Sequence, residues 1–215
     1  MAEIRAVLFD FGGVIVSSPI DGFLAYERTA NLPPGFIQKL NTIDPHGNAW
    51  ACMERGELDA ETFHRRFEAE GLAQGHAFDS RAVLSGLTGE IRPEMVAAVR
   101  HLRTRYHVAC LTNNMPLYHG SAMARTPERA AVIAEVMALF EHVVESSKIG
   151  ARKPEPRFYV RACEIVGVAP EHCVFLDDLG INLKPARALG MTTIKVGDPA
   201  VALGELAAVL GHAVP

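Results

Sequence analysis

Short runs of continuously apolar residues recur along this chain of 215 residues, and segments with helical features separate them. Strands of a parallel sheet have this pattern when helices bury both faces of the sheet. The alternation of strand and helix therefore predicts an α/β fold, a Rossmann-like doubly wound parallel sheet. We predict strands over residues 4–10, 108–112, 142–145, 174–177 and 192–196.

Proline and glycine mark the helices between the later strands. Proline is tolerated in the first turn of a helix, and glycine is common just after the last turn. On this basis Pro93 begins one helix, and Pro154 and Pro156 begin a second that ends before Gly167. A third helix ends before Gly190. These helices would supply the layers that cover the predicted sheet.

Residues 17–89 contain no strand-like run but carry several helix signals. Asp21 and Asp59 are each expected to cap a helix, because a short acidic side chain accepts hydrogen bonds from the first free backbone N–H groups. We therefore predict an α/β core domain made of residues 1–16 and 90–215. Residues 17–89 would form a helical cap subdomain inserted after the first strand.

Composition limits the possible partners and locations. Apolar residues make up 49% of the chain, enough for a full core, and the net charge of −4 gives no reason to expect nucleic acid or an anionic membrane as a partner. No apolar run approaches the roughly 20 residues of a membrane span, and the N-terminus has no signal-peptide pattern. The four cysteines lack CxxC spacing and are typical of buried apolar residues in a reducing compartment. We therefore expect a cytoplasmic protein, and the sequence leaves its oligomeric state open.

The ends of two predicted strands carry the residues best suited to chemistry. Asp10 ends the first strand and is followed by Gly12 and Gly13, while Asp177 and Asp178 end a later strand. The carboxyl ends of parallel strands lie at one edge of the sheet, where such folds bind ligands. Neighbouring carboxylates repel each other unless a cation is close. Two acidic strand ends therefore predict a divalent metal and an anionic substrate.

Four segments in chain order resemble the motifs of the haloacid dehalogenase superfamily. The resemblance covers nearly the whole chain, and four ordered motifs are far more specific than one. It is greatest over residues 145–196, which resemble the phosphatase-like domains at the N-termini of soluble epoxide hydrolase and of an acyl-CoA dehydrogenase relative. The four segments are Asp10-Phe11-Gly12-Gly13-Val14, Leu111-Thr112-Asn113-Asn114, Lys153-Pro154-Glu155-Pro156 and Phe175-Leu176-Asp177-Asp178.

The resemblance implies a magnesium-dependent hydrolase of a small phosphomonoester. Asp10 is the implied nucleophile, because a carboxylate can attack phosphorus to form an aspartyl-phosphate that water then hydrolyses. The implied magnesium ligands are Asp10, the main-chain carbonyl of Gly12 and Asp178. Asp177 would be a further ligand or a partner of the ligands. In the alternative interpretation, Asp10 caps a turn, and Asp177 and Asp178 begin a helix.

The resemblance also implies residues that bind the substrate. Thr112 is expected to bind a phosphoryl oxygen through its hydroxyl and backbone N–H, and Asn113 to add a donor. Gly13 and Asn182 belong to the same substrate-binding group, although Asn182 is expected chiefly to tether the acidic loop. The alternative for Thr112 and Asn113 is a strand end that caps the next helix. For Asn182 the alternative is a helix cap.

Lys153 is the implied catalytic cation. Its ammonium would lie between the nucleophile and the phosphate and stabilise charge in the transition state. A lone lysine is more often a solvated surface residue, and Lys148 is an obvious rival nearby. Lys153 is preferred because Pro154 and a predicted helix follow it, as in the family motif.

The chain departs from the family pattern at Gly12. Phosphatases of this superfamily usually carry a second aspartate there, which protonates the leaving alkoxide and later activates water. General acid–base catalysis is typically worth about 10²–10⁴-fold in rate. We therefore expect slower hydrolysis, a better leaving group, or an acid from elsewhere. The candidates from the helical cap are Asp44, His46, Trp50 and Glu54.

Two other functions are compatible with the sequence. Dehalogenases of the superfamily also use one aspartate and lack the second, and they need no metal because halide leaves without protonation. The other function is a non-catalytic module that binds a phosphorylated ligand or a protein, for which Gly12 is the main reason. The acidic pair of Asp177 and Asp178 favours the phosphatase over the dehalogenase. Intact Asp10, Lys153 and Asp178 argue against the binding module.

Overall fold

A computed structural model of the chain describes residues 2–87, 89–116 and 126–215. It contains a parallel sheet of five strands: β1 (Ala6–Phe9), β2 (His107–Thr112), β3 (His142–Glu145), β4 (Cys173–Asp177) and β5 (Thr192–Lys195). Each predicted strand has its counterpart, with ends that differ by at most two residues. The sheet, flanked by helices, confirms the predicted Rossmann-like α/β fold class.

The sequence marks where many of the helices begin. They are α1 (Pro19–Thr29), α2 (Phe36–Leu40), α3 (Ala49–Glu54), α4 (Ala60–Ala73), α5 (Ser80–Ser85), α6 (Pro93–Leu102), α7 (Pro127–Met137), α8 (Ser146–Ile149), α9 (Pro156–Val166), α10 (Gly180–Ala188) and α11 (Pro199–Leu210). Proline begins α1, α6, α7, α9 and α11, where its missing N–H would have no partner within the helix.

The order of the strands creates a crevice at one edge of the sheet. The order is β3-β2-β1-β4-β5, so the chain builds outward from β1 to β3 and then returns to the other side of β1. Phe9 of β1 lies opposite Cys110 of β2 on one side and Leu176 of β4 on the other. Such a reversal leaves a crevice beyond the carboxyl ends of the strands, where α/β sheets bind ligands. Asp10 and Asp177 lie side by side at this point.

Apolar side chains cover both faces of the sheet. One cluster joins the sheet to α6, α7 and α11, and a second joins it to α9 and α10. Val7 and Phe9 belong to the first cluster and Leu8 belongs to the second, because successive side chains of a strand point to opposite faces. Burial on both faces explains why the central strands β1, β2 and β4 are almost continuously apolar in sequence.

The described residues of the 17–89 segment contribute α1–α5 and no strand of the sheet. They form a third apolar cluster, which includes Phe23, Phe63 and Phe67. Met115 also belongs to this cluster, although it comes from the loop after β2, and it is only 5% exposed. The helical segment therefore shares its apolar core with a loop of the sheet-bearing part.

The two predicted caps of this segment have different outcomes. A carboxylate oxygen of Asp59 accepts a hydrogen bond from the Thr62 N–H at 2.8 Å, which confirms the cap of α4. The prediction for Asp21 is wrong, because α1 already begins at Pro19, after Ser18, and Asp21 lies inside its first turn. The fixed φ of proline suits the first helical position and sets the start of this helix.

Two expectations about the environment of the chain can be compared with the fold. The helices of the described part include none that is long and apolar enough to cross a membrane. The four cysteines are buried and none is in a disulfide. Cys110, Cys163 and Cys173 belong to the apolar clusters on the sheet, as expected of small apolar side chains. The Cys52 thiol instead donates to the Gly47 carbonyl at 3.5 Å.

Candidate active site

Three carboxylates meet in the crevice beyond β1 and β4. Asp10 directly follows β1, Asp177 ends β4, and Asp178 is the next residue. Asp10 and Asp177 are buried and Asp178 is partly buried. One oxygen atom from each of the three lies within 4.8 Å of the others. The structure therefore brings together the acidic residues that the sequence places at two separate strand ends.

The ammonium of Lys153 lies inside this acidic group. Its Nζ atom is 2.8 Å from Oδ1 of Asp10 and 2.8 Å from Oδ2 of Asp177, and it lies 5.5 Å from the centre of the Phe175 ring. Lys153 is only 1% exposed, whereas the side chain of the rival Lys148 is 72% exposed and forms an ion pair with a neighbouring glutamate. Lys153 is thus the lysine that contacts the carboxylates.

Burial and charge act in opposite directions on these groups. Burial raises the pKa of the Asp10 carboxyl well above its ordinary value, with Asp177 and Asp178 adding to the rise and Lys153 opposing it. Burial also raises the pKa of Asp178, again with help from Asp177. Burial would lower the pKa of the Lys153 ammonium, but Asp10 and Asp177 outweigh it and raise that pKa. The acidic neighbours therefore favour the charged form of Lys153. Burial and the repulsion from Asp177 disfavour the charged forms of Asp10 and Asp178.

Asp177 is held in place from several directions. Its Oδ1 atom accepts hydrogen bonds from the Leu179 N–H at 2.8 Å and from Nδ2 of Asn182 at 3.0 Å. Its Oδ2 atom accepts from Lys153 at 2.8 Å. The hydroxyl of Tyr159 donates to the Asn182 carbonyl at 2.6 Å. Asn182 therefore tethers the acidic loop, in line with its expected structural role, while contact between Asn182 and substrate stays a prediction.

Gly13 allows Asp178 to approach the turn after β1. Its φ of 78° is one that residues with a side chain rarely adopt, and a Cβ atom at this position would overlap the Asp178 carboxylate. Gly12 has no such restriction, because a Cβ atom there would meet Pro19 at 3.5 Å, an ordinary contact. Glycine is thus required at position 13 by geometry, whereas position 12 has room for a side chain.

Two contacts around this turn were missed by the sequence-based reasoning. Nη1 of Arg92 donates to the Gly13 carbonyl at 2.8 Å, and the hydroxyl of Ser18 donates to Oδ2 of Asp178 at 3.2 Å. Both partners come from chain segments that are distant in sequence from the residues they contact. No sequence motif marks them, since each acts only after the helical segment and α6 have packed against the sheet.

Thr112 and Asn113 follow β2 at the same edge of the sheet. Thr112 is 3% exposed and is the last residue of its strand. The Asn113 side chain forms hydrogen bonds with both sides of the Lys153 backbone: Nδ2 donates to the carbonyl at 2.9 Å, and Oδ1 accepts from the N–H at 2.8 Å. The amide of Asn113 thus holds the catalytic candidate lysine. Substrate binding by Thr112 and Asn113 stays a prediction.

The residues present fit a magnesium ion. Three carboxyl groups against one ammonium leave an excess of negative charge, and carboxylate oxygens are preferred ligands of small divalent cations. Asp10 and Asp178 are better placed as ligands than Asp177, because both oxygens of Asp177 already accept hydrogen bonds. The main-chain carbonyl of Gly12 stays a predicted ligand.

The four candidates from residues 17–89 lie in different surroundings. Asp44 and His46 occupy an exposed loop. The Trp50 ring packs edge-on against Phe23, with ring centres 5.4 Å apart, and so belongs to the apolar core of the segment. Glu54 is buried and contacts the loop after β2. A role for any of them as the missing acid stays a prediction.

The sequence matches the haloacid dehalogenase-like hydrolase family over residues 4–190. The chain belongs to this family and is a hydrolase with phosphatase relatives. The resemblance identified from the four motifs is therefore confirmed.

Three curated relatives illustrate the match. Acyl-CoA dehydrogenase family member 10 of Mus musculus is 33% identical over 96% of this chain, and bifunctional epoxide hydrolase 2 of Mus musculus is 30% identical over 99%. The chain spans only 19% and 40% of the lengths of these two proteins. D-ribitol-5-phosphate phosphatase of Bacteroides thetaiotaomicron is 24% identical, with 96% of this chain and 98% of that protein covered.

Solved structures agree with the fold. A predicted family hydrolase from Porphyromonas gingivalis superposes with a TM-score of 0.66 at 24% identity, covering 97% of this chain and 98% of that one. A family enzyme from Bacteroides thetaiotaomicron, solved with magnesium and inorganic phosphate, gives a TM-score of 0.61 at 19% identity. That comparison covers 90% of this chain and 94% of that one.

Proposed function

We propose that this protein hydrolyses a small phosphomonoester in a magnesium-dependent reaction, with Asp10 as the nucleophile. The main support is the contact between Asp10 and the buried ammonium of Lys153, 2.8 Å apart, within a group that also contains Asp177 and Asp178. A carbon–halogen bond can be cleaved by one carboxylate without a metal. The second acidic strand end therefore favours phosphate over halide.

In the proposed reaction the Asp10 carboxylate attacks phosphorus, and the bond from phosphorus to the leaving oxygen breaks. Lys153 stabilises the charge on the transferred phosphoryl group, and Thr112 donates to one of its oxygens. Water then attacks phosphorus, which frees Asp10 and releases inorganic phosphate. Magnesium held by Asp10, Asp178 and the Gly12 carbonyl would neutralise charge as the two anions approach.

The leaving oxygen departs with the bonding electron pair and needs a proton unless it is already a weak base. Gly12 offers no proton, and the described carboxyl groups near Asp10 are engaged with Lys153, Ser18 or Asn182. General acid catalysis is worth about 10²–10⁴-fold. We therefore expect aryl phosphates, which have acidic leaving groups, to be hydrolysed much faster than alkyl phosphates.

The first experiment measures turnover of an activated aryl phosphate with and without magnesium, for the wild type and for Asp10→Asn. Magnesium-dependent turnover that is lost in Asp10→Asn is the expected result. No turnover by folded protein that still binds magnesium would reject the proposal. Turnover of a haloacid without metal would instead support the dehalogenase.

Relatives and packing support the finer parts of this proposal. The ribitol-phosphate phosphatase suggests a small phosphorylated substrate, and the magnesium–phosphate complex of a structural neighbour suggests the metal. We also propose that residues 17–89 act as an inserted helical cap, which would hold the determinants of substrate selectivity. Its own apolar cluster, to which the described residues of the sheet-bearing part add only Met115, supports this division. A cytoplasmic location fits a chain whose four cysteines are unpaired.

A further inference from the structure

A buried carboxylate of the helical segment reaches toward the lysine of the candidate site. Glu54 is the last residue of α3 and is 7% exposed. Its Oε1 atom accepts a hydrogen bond from Nε1 of Trp50 at 2.9 Å. Its Oε2 atom accepts from Nδ2 of Asn113 at 3.1 Å and forms an ion pair with Arg152. Both carboxylate oxygens of Glu54 thus accept hydrogen bonds. Two of the three donors, Asn113 and Arg152, come from loops beside the sheet.

Asn113 extends this contact to Lys153. The same Nδ2 group that donates to Glu54 also donates to the Lys153 carbonyl at 2.9 Å, while Oδ1 accepts from the Lys153 N–H at 2.8 Å. Arg152, the other partner of Glu54, directly precedes Lys153 in the chain. Glu54 therefore holds the Lys153 backbone through two routes, one through an amide and one through the adjacent residue.

A second ion pair fastens α3 to the same loop. Arg55 contacts Oε1 of Glu155 at 3.4 Å, and the side chains of both are largely buried. A Cβ atom on Gly56 would lie only 2.7 Å from the carbonyl oxygen of Ser147, so the backbones approach closely here. Acid and base alternate across the contact, since Glu54 faces Arg152 and Arg55 faces Glu155. The two pairs bracket Lys153 on either side.

We propose that Glu54 is a positioning residue for Lys153. It fixes the Asn113 amide and Arg152, and these hold the backbone from which the Lys153 ammonium reaches Asp10. The catalytic consequence rests on the proposed phosphatase function, whereas the effect on the placement of Lys153 does not. A glutamine would not substitute fully, because it has one acceptor oxygen and would set an NH₂ group against one of the present donors.

The kinetic test compares the wild type, Glu54→Gln, Asn113→Ala and the double variant with an activated aryl phosphate. Glu54→Gln is expected to lower kcat by about 10-fold to 100-fold, the loss that a small misplacement of a catalytic group produces, with little change in KM. Because Glu54 acts partly through Asn113 and partly through Arg152, the double variant is expected to lose less kcat than the product of the two single losses. Effects that simply multiply would overturn the inference.

Glu70→Gln is the matched control. Glu70 also belongs to the helical segment and accepts a hydrogen bond from the Ala49 N–H at 2.7 Å, at the opposite end of α3. The Glu70→Gln substitution therefore removes a carboxylate that holds the same helix but does not contact Asn113 or Lys153. We expect kcat near the wild-type value. An equal loss of kcat in Glu70→Gln and Glu54→Gln would mean that only the folding of α3 matters.

A second measurement does not depend on turnover. Amine-reactive labelling followed by mass spectrometry compares Lys153 with the exposed Lys148 in each variant. Labelling of Lys153 relative to Lys148 is expected to rise several-fold in Glu54→Gln and to stay unchanged in Glu70→Gln. If the wild type hydrolyses no phosphate but this pattern appears, the proposed function fails and the positioning role stands. Unchanged labelling in Glu54→Gln overturns the positioning role, whether or not the wild type shows turnover.

Discussion

Gly13 shows how one residue without a side chain shapes the candidate metal site. The positive φ of this residue and the space that its missing Cβ leaves free both serve the approach of Asp178 to the turn after β1. Gly12, one residue earlier, is bound by neither condition. The absence of a side chain at position 12 is therefore not dictated by packing, whereas at position 13 it is.

We expect Gly13→Ala to abolish stabilisation by magnesium. The new methyl group would displace the Asp178 carboxylate, and the positive φ would cost roughly 1 kcal/mol in addition. Gly75→Ala is the control, because Gly75 has a φ of 88° but open space around its Cβ position. Thermal unfolding with and without magnesium checks this. A magnesium-induced shift that survives in Gly13→Ala contradicts it.

At the residue scale, the sequence predicts which residues belong to the candidate site better than it predicts the contacts they make. Asp10, Lys153 and Asp177 could be selected because they stand at strand ends or in ordered motifs. The two hydrogen bonds from the Asn113 side chain to the Lys153 backbone could not be predicted, because they join two loops that come together only in the folded protein. The same holds for Arg92, whose contact with the turn carries no local signal.

At the scale of elements, α4 and α5 are joined by a buried polar chain. Nδ1 of His64 lies 2.7 Å from the Ser80 hydroxyl, and that hydroxyl donates to Oε1 of Glu68 at 2.6 Å. We infer that Nδ1 of His64 carries a proton and donates, because the Ser80 hydrogen points to Glu68. Burial lowers the pKa of His64, so the folded protein favours the neutral ring.

This lowered pKa predicts a loss of stability in mild acid. Below about pH 6.5, the ordinary pKa of histidine, the unfolded chain binds a proton that the folded protein does not. The stability that His64 contributes is complete above that pH and falls as the pH approaches the lowered folded pKa. In His64→Asn the decline between pH 7 and pH 5 should be shallower by up to ~1.4 kcal/mol per pH unit. Urea unfolding across that range measures it, and parallel curves for the two proteins would be the contrary result.

Elements were predicted unevenly. The central strands β1, β2 and β4 were found because their apolar side chains are buried on both faces of the sheet. Asp59 was found because its capping contact is local. The short helices α2, α3 and α5 have too few turns to show a periodic pattern and were not predicted. Their positions depend on packing within the apolar cluster that contains Phe63 and Phe67.

At the scale of the whole molecule, the fold concentrates negative charge where the order of strands reverses. Asp10 and Asp177 are brought together by the pairing of β1 with β4, and Asp178 follows. The sequence predicted this meeting from the general geometry of parallel sheets, but it did not determine the order of the strands. That order rests on pairings between segments that are distant along the chain, such as those of β1 with β2 and with β4.

We expect Asp178→Asn to have opposite effects with and without magnesium. Without metal it removes a partly buried charge that burial and Asp177 disfavour, so the melting temperature should rise. With metal it removes a proposed ligand. A ligand at 100 times its dissociation constant stabilises the wild type by about 2.7 kcal/mol, and most of that gain should disappear. Differential scanning calorimetry decides, and a full magnesium gain in Asp178→Asn would rule out ligation by Asp178.

The burial of Met115 limits how the helical segment could be transplanted between members of this family. It lies in the loop after β2, yet its side chain is buried in the apolar cluster of the helical segment. A helical segment cut out at its two chain crossings and grafted onto another family member would arrive without this side chain and with a gap in its interior. Successful chimeras would therefore have to transfer two stretches of sequence, the helical segment itself and the loop that carries Met115.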